Sequence, residues 1–439
     1  MRRLARSVKT TRDLDTYPCL MKAKSEGFIN YGFILFGCWN NIDCKKDYVY
    51  RDIVLDYIRD NEKEIKKLYI AGDNWYPNIR ANFKVYLTDI LTTGYAKLYA
   101  MNKQIHIAVG NHDEDEYAKD EYAKDLKKGC NINTQKYYLQ QIKNNVLKET
   151  APPTLELLQT LASRNELDDN HLRNNGVYIY VDDIGVCYNK GNIVLIINTN
   201  RFDDYDAGIK YMRSIRAVIM RVELNKHNEQ IFVMGHIPLF SYKKDKIILH
   251  KINKEDIKYD KFILELFNIF AAYNIIYICA DTHNFSIMTI ERDNKVVIQI
   301  TAGTGGADPD VLKKEYIKTA REDFGLFNIK AFALNPYGYV TINTVNDNIT
   351  VCYTQIIKDK QGTSGTSGTS VKPMRFTYTV SVANKTIVYK GSKELSTFII
   401  NKVENTLVKN KICEEAQDLG YITSENRSIA CYKKIKGEK

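Results

Sequence analysis

One pattern constrains the fold of this chain more than any other. Seven times in the first 360 residues a short apolar run, rich in β-branched and aromatic side chains, stops abruptly in polar residues. The first three runs are Phe28–Phe36 before Gly37-Cys38-Trp39-Asn40, Leu68–Ala71 before Gly72-Asp73, and Ile105–Val109 before Gly110-Asn111-His112-Asp113. The other four are Ile193–Ile197 before Asn198-Thr199-Asn200, Ile231–Met234 before Gly235-His236, Ile275–Cys279 before Ala280-Asp281-Thr282-His283, and Val296–Ile300 before Thr301-Ala302-Gly303. Runs that are apolar throughout suit buried strands, and a helical or loop segment follows each of them. In α/β sheets the polar residues just past the carboxyl ends of such strands build the active site, so several ends can converge on one place.

The remaining organisation follows from length and composition. A chain of 439 residues exceeds one average domain, and 44% hydrophobic with 26% charged residues excludes disordered, collagen-like and coiled-coil classes. Gly-Thr-Ser is repeated three times over Gly362–Ser370 with no apolar residue, so 361–370 reads as a flexible linker spanning about 16–18 Å. It separates a large domain, 26–360, from a small basic α+β module, 371–439; residues 1–25 form a basic N-terminal arm. In the module Arg375–Val382 alternates like a strand, Asn384-Lys385 marks a turn, and Thr386–Tyr389 pairs back. Leu395, Phe398, Ile399, Val403 and Leu407 then recur at helical spacing. With 13 basic and 7 acidic residues the module carries 13 − 7 = +6 of the net +10, so any affinity for a polyanion should lie there, although a solvated lysine-rich surface is the plainer reading of the charge. Elsewhere, the doubled Asp-Glu-Tyr-Ala-Lys at 115–124 reads as a solvated insertion and Thr154 to Asn165 as a helix.

Nine irregularly spaced cysteines cannot all pair within the chain, which points to a reducing, cytoplasmic compartment. The basic residues of the first 20 positions have no apolar run behind them, unlike a secretory signal. Lys261–Ala280 is interrupted by Glu265, Asn268 and Asn274 and reads as a helix followed by a buried strand, not a membrane span. The skew to Lys, Ile, Asn and Tyr suits an AT-rich genome such as that of a large DNA virus or a protist, with a virus factory or virion as one expected location.

The strand ends carry Asp73, Asn111, His112, His236, Asp281 and His283. Carboxylate, amide oxygen and imidazole are ligands for Fe, Mn or Zn. Two neighbouring ions need a bridging carboxylate to share a hydroxide and clamp a phosphoryl group, and Asp73 is the natural bridge. Glycine before Asp73, Asn111 and His236 permits the sharp turn that aims each side chain out of the sheet. Other polar residues are expected to be bland: His106 in the core or behind the site, His171 and His227 on the surface, and Asp203, Asp204 and Asp206 in a solvated loop. His250 follows Gly235-His236 at a spacing that does not mark it as a site residue, and Trp39 and Trp75 either wall the pocket or pack at strand ends.

Taken together, Gly72-Asp73-Asn74-Trp75-Tyr76, Gly110-Asn111-His112-Asp113, Gly235-His236-Ile237-Pro238 and His283-Asn284 resemble the motifs of the calcineurin-like metallophosphoesterases, and in particular of purple or tartrate-resistant acid phosphatases. Thr301–Gly306 and Tyr337–Val340 are weaker echoes, and the resemblance covers roughly residues 28–355. It implies a four-layer α/β/β/α sandwich with two divalent or trivalent metal ions. Asp73 would bridge, Tyr76 and His283 would hold the first metal, and Asn111 and His236 the second. His112 would contact the phosphate of the substrate and assist the leaving group, oriented by Asp113. The chain departs from the family at Cys38, where an aspartate is usual, and at Asp281, where a histidine is usual; Asp281 remains able to bind metal. Asn40 stands where other branches place a histidine. Two functions are therefore open: an acid-phosphatase-like phosphomonoesterase using a metal-activated hydroxide, or a catalytically impaired scaffold with a structural or binding role.

Overall fold

The computed structural model describes residues 32–40, 50–74, 76, 94–114, 177–180, 184–189, 191–241, 260–308, 310, 328–334, 337–345, 348–358, 371–390, 399–401 and 406–408. The basic arm, the doubled repeat at 115–124, the helix expected at 154–165, the Gly-Thr-Ser segment, Trp75, His171 and His250 lie outside the described residues.

All seven apolar runs supply strands, and they divide into two parallel sets. In the first, β1 (Phe33–Phe36), β2 (Lys67–Ile70) and β3 (Gln104–Ala108) lie side by side, with Leu35 opposite Tyr69 and Tyr69 opposite His106. The second consists of β6 (Asn192–Ile196), β7 (Gln230–Met234), β8 (Ile276–Cys279) and β10 (Lys295–Ala302), with Val233 opposite Tyr277 and Ile278 opposite Ile300. Parallel pairing puts the carboxyl ends of each set on one edge. Antiparallel strands complete both sheets: β5 (Gly185–Asn189), β9 (Phe285–Arg292), β11 (Asn328–Leu334), β12 (Gly338–Val345) and β13 (Asn348–Lys358), while β4 (Val177–Tyr180) extends the first parallel set. The result is a mixed α/β architecture with one eight-stranded and one nine-stranded mixed sheet.

The sheets share a core. Phe33 and Leu35 of β1 pack in one cluster with Val194, Ile196, Phe232, Met234, Ile276 and Ile278 of the second sheet. On its other face the second sheet meets α3 (Tyr205–Asn225) and α4 (Asp260–Ala272), which follow α1 (Tyr50–Asn61) and α2 (Tyr95–Ala100) in the chain. Helix α3 buries Gly208, Tyr211, Met212, Ile215, Ile219 and Val222, a stripe at three- and four-residue spacing. The acidic stretch expected to be a loop starts this helix instead. Asp204 is its N-cap and accepts from Ala207 N at 2.8 Å, because a carboxylate satisfies an otherwise orphaned amide and complements the helix dipole. The helix-then-strand expectation for 261–280 matches α4 and β8. No helix among the described residues is long and apolar enough to cross a membrane.

Two expectations beyond the linker are corrected. Residues from 371 do not begin a separate fold: β14 (Val371–Ser381) pairs antiparallel with β13 from Lys358↔Val371 to Asn348↔Ser381, and β15 (Thr386–Lys390) lies beside it at the sheet's edge. Met374, Phe376, Tyr378 and Val380 alternate inward and are buried in the shared core. Where helical spacing was read, β16 (Ile399–Asn401) pairs with β11 and β17 (Thr406–Val408) pairs with β16. An edge strand offers a row of unmet backbone hydrogen bonds, and that tertiary pairing overrides a weak local periodicity. The expected turn at Asn384-Lys385 is present, with Lys385 at φ 54°.

Candidate metal centre

The carboxyl edges of the two parallel sets meet. Gly37 N donates to Ala302 O of the other sheet at 2.8 Å, and a Cβ on Gly37 would lie 2.5 Å from the Ala280 Cβ, so only glycine permits this approach. Three residues that come two or three positions after strand ends adopt left-handed backbone: Cys38 at φ 51°, Asp73 at φ 53° and Asp281 at φ 52°. Such conformations cost about 1–3 kcal/mol each in non-glycine residues and cluster at functional sites. Here Asp73 lies between the other two, near Cys38 on one side and Asp281 on the other.

Two donor groups result. Cys38, Asp73 and His283 form one, and Asp73, His236 and Asp281 the other; within each group the ligand atoms lie within 4.8 Å of one another. Asp73 belongs to both. Around His236 Nε2 lie Asp73 Oδ1 at 3.1 Å, Asn111 Oδ1 at 3.1 Å and Asp281 Oδ1 at 3.5 Å. One nitrogen cannot bond well to three oxygens at once, but metal bonds of about 2.1 Å place neighbouring ligand atoms about 3.0–3.4 Å apart. In the first group Cys38 Sγ is 3.9 Å from Asp73 Oδ2, and Tyr76 Oη is 3.1 Å from His283 Nε2. Each donor set could hold a metal ion, and Asp73 is common to both.

Electrostatics agree with the geometry. Asp73, Asp281 and His236 are all buried. Burial is the largest influence on His236 and opposes its protonation, yet the Asp73 and Asp281 carboxylates raise its pKa to about 10. The pocket therefore draws positive charge strongly, as two buried carboxylates must. Burial, then the neighbouring Asp73 and Cys38, push the Tyr76 phenol well above its ordinary value. His236 Nδ1 donates to Ala71 O at 2.6 Å, which fixes the ring with Nε2 facing the carboxylates. His283 is held likewise, by Nδ1 to Asp308 O at 2.6 Å and by its backbone N to Asp310 Oδ2 at 2.8 Å.

No family model and no curated protein matches this sequence. Among solved structures, GAP50, the anchor in the inner membrane complex of Plasmodium, is similar at TM-score 0.42 and 13% identity, over 78% of this chain and 89% of that one. Phosphopantetheinyl hydrolase (PptH) from Mycobacterium tuberculosis is similar at TM-score 0.28 and 11% identity, over 63% of this chain and 91% of that one. Likenesses this slight assign neither fold nor activity.

The structure brings Asp73, Tyr76, Asn111, His236, Asp281 and His283 together. His112 borders the same site: its backbone N donates to Asp73 Oδ1 at 3.1 Å, and its ring lies 4.8 Å from that of Tyr76. Asp113 is buried and accepts from Gly110 N (2.7 Å), Asn74 N (2.9 Å) and Asn74 Nδ2 (2.8 Å), tying the loop after β3 to the loop after β2. Trp39 packs edge-on against Tyr95 and donates Nε1 to Asn74 Oδ1 at 3.0 Å, so it buttresses the site from behind.

Sequence reasoning missed this supporting network. Asn74 is its hub, receiving Trp39 Nε1 on its side chain and Asn40 Nδ2 on its carbonyl at 2.9 Å, and buried Arg51 holds Asn40 Oδ1 at 2.8 Å. Neither Asn74 nor Arg51 has a spacing that marks it; Asp310, close behind the glycine-rich turn, had a weak signal in Asp308-Pro309-Asp310. His106 is a core residue, stacked 5.0 Å from both Tyr69 and Tyr178, with Nδ1 3.1 Å from Tyr180 Oη and 3.2 Å from Cys187 Sγ. Burial holds its pKa well below the usual value. His227 is exposed, as expected.

Proposed function

We propose that this chain is a metal-dependent phosphoester hydrolase of the calcineurin-like type, closest to the acid phosphatases and acting on phosphomonoesters. The observation that carries the proposal is Asp73, shared by two donor groups that come from the facing edges of two sheets. When bound, iron, manganese or zinc would supply a hydroxide nucleophile near neutral pH and neutralise charge on the phosphoryl oxygens.

The residues present then have separate tasks. Asp73 would serve both positions; Tyr76 and His283 would complete the first, and Asn111, His236 and Asp281 the second. The open side is flanked by Asn111, His112 and His283, which are less buried than the rest. His112 reaches from that rim to the phosphate and passes a proton to the leaving oxygen. Asp113 acts through Asn74 and Gly110 as a positioning residue. The ring of α1 and α2 would form the fourth layer of the sandwich, since Ile34, Phe36, Leu68, Ile70, Ile105 and Ile107 are buried on strands whose alternate residues face the shared core. The lysine-rich residues after 371 would supply any contact with a polyanion, in a cytoplasmic setting that suits a chain with nine cysteines.

Purified chain is expected to contain at least one transition metal and to hydrolyse p-nitrophenyl phosphate when manganese or iron is supplied. Metal near zero, with any activity unchanged in Asp73→Ala and His236→Ala, overturns the proposal. A second reading, a scaffold retaining the fold without turnover, is favoured by Cys38 standing where a carboxylate is usual. Cys38→Asp separates the two: a large gain in turnover identifies a decayed site, and a loss identifies a cysteine that works.

A further inference from the structure

The two donor groups differ in chemistry. The second is built of oxygen and nitrogen alone, from Asp73, His236, Asp281 and the neighbouring Asn111 amide oxygen. Only the first contains sulfur. Cys38 is wholly buried, and its backbone is held on both sides: its N donates to Gly72 O at 3.0 Å and its carbonyl accepts from Ala307 N at 2.9 Å. With φ at 51° this leaves the side chain little freedom, and its Sγ is brought 3.9 Å from Asp73 Oδ2. Bonds of about 2.3 Å to sulfur and about 2.0 Å to oxygen around a tetrahedral zinc separate those atoms by about 3.5 Å, so a small inward shift suffices.

We propose that Cys38 is a metal ligand and makes the first position a thiolate site for a borderline-soft ion such as zinc, beside a second position that takes a harder ion. This rests on the reading that the two groups hold metals. Binding forms one metal–sulfur bond and releases the thiol proton to solvent, with no change of oxidation state. Thiolate prefers zinc and cobalt(II) over manganese and magnesium, whereas carboxylate and amide oxygen accept the harder ions. Tyr76 and His283, 3.1 Å apart, close the same position from the rim.

The test is spectroscopic and independent of turnover. Metal-depleted full-length chain is titrated with cobalt(II) and its near-ultraviolet spectrum recorded. A sulfur-to-cobalt charge-transfer band is expected in the parent, absent in Cys38→Ser and in Cys38→Asp, while Cys38→Asp still binds two ions by elemental analysis. Zinc should displace the band, and manganese should not. Cobalt bound without a band in the parent, or an identical band in Cys38→Ser, overturns the proposal. If the variants fail to fold, X-ray absorption on the parent loaded with one zinc decides: a sulfur neighbour at about 2.3 Å is expected, and only nitrogen and oxygen neighbours overturn it. A band without phosphatase activity retains the thiolate site and removes the hydrolase reading; activity without a band does the reverse.

Discussion

His236 Nε2 lies 3.1 Å from Asp73 Oδ1, and this contact joins two residues that reach the site from different sheets, 163 positions apart in the chain (236 − 73). Neither belongs to a local motif of the other. Buried carboxylates raise the pKa of His236 to about 10, so this spot favours positive charge, and it is the place a metal ion would take.

Metal uptake should depend on pH through that pair. Burial opposes the charge on His236, but Asp73 and Asp281 together raise its pKa to about 10 in the metal-free chain. A folded pKa raised above the unfolded one contributes stability that is complete below about 6.5 and is lost as pH rises through about 10. An ion takes His236 neutral, so binding expels the proton, and affinity should rise by up to about tenfold per pH unit on approaching 10. Calorimetric titration in buffers of different ionisation enthalpy measures the proton released. A flat profile in the parent, matching that of His236→Gln, contradicts the expectation.

Gly110 has a role beyond backbone freedom. A Cβ there would overlap the backbone N and Oδ1 of Asp73. Gly110→Ala should displace the shared carboxylate, lower metal content at both positions, and destabilise the chain by about 1–3 kcal/mol. Elemental analysis and urea unfolding report the two effects separately; full metal content would refute the prediction.

Asp113→Ala should destabilise without touching a metal ligand. It strips the acceptor from buried Gly110 N and Asn74 N and one of the two acceptors of Asn74 Nδ2, which keeps Ala108 O at 3.1 Å, and an unsatisfied buried donor costs about 1–3 kcal/mol. Asp113→Asn should recover little, because its NH₂ would face donors. A midpoint in urea equal to that of the parent would show that the loops are tied by other means.

Residues beyond the Gly-Thr-Ser segment should unfold with the main body. Phe376 is buried in the core shared by both sheets, so Phe376→Ala should cost about 3–5 kcal/mol and keep one cooperative transition. Doubling the Gly-Thr-Ser segment should cost only about 0.6 kcal/mol, since loop closure varies slowly with length. Two separate thermal transitions in Phe376→Ala would instead indicate an independent module.

Local pattern made the strands and most site residues legible. The seven apolar runs, the glycines at their ends and the residues Asp73, Asn111, His236, Asp281 and His283 are all readable without tertiary knowledge, because strand burial and the sharp turn after it are local requirements. Cys38 was readable as a departure, though not as a donor. Which ends would meet came only from the motif resemblance and not from local pattern, because the order of strands and the packing of one sheet on the other depend on contacts between residues far apart in sequence. For the same reason Asn74 and Arg51 passed unnoticed: each is ordinary in its own segment and matters only through partners on other segments. The linker misled in the opposite direction. Its composition describes a connection that need not pack, while the strands on either side pair along eleven residues from Lys358↔Val371, and that pairing, not the composition between them, decides that they belong to one sheet.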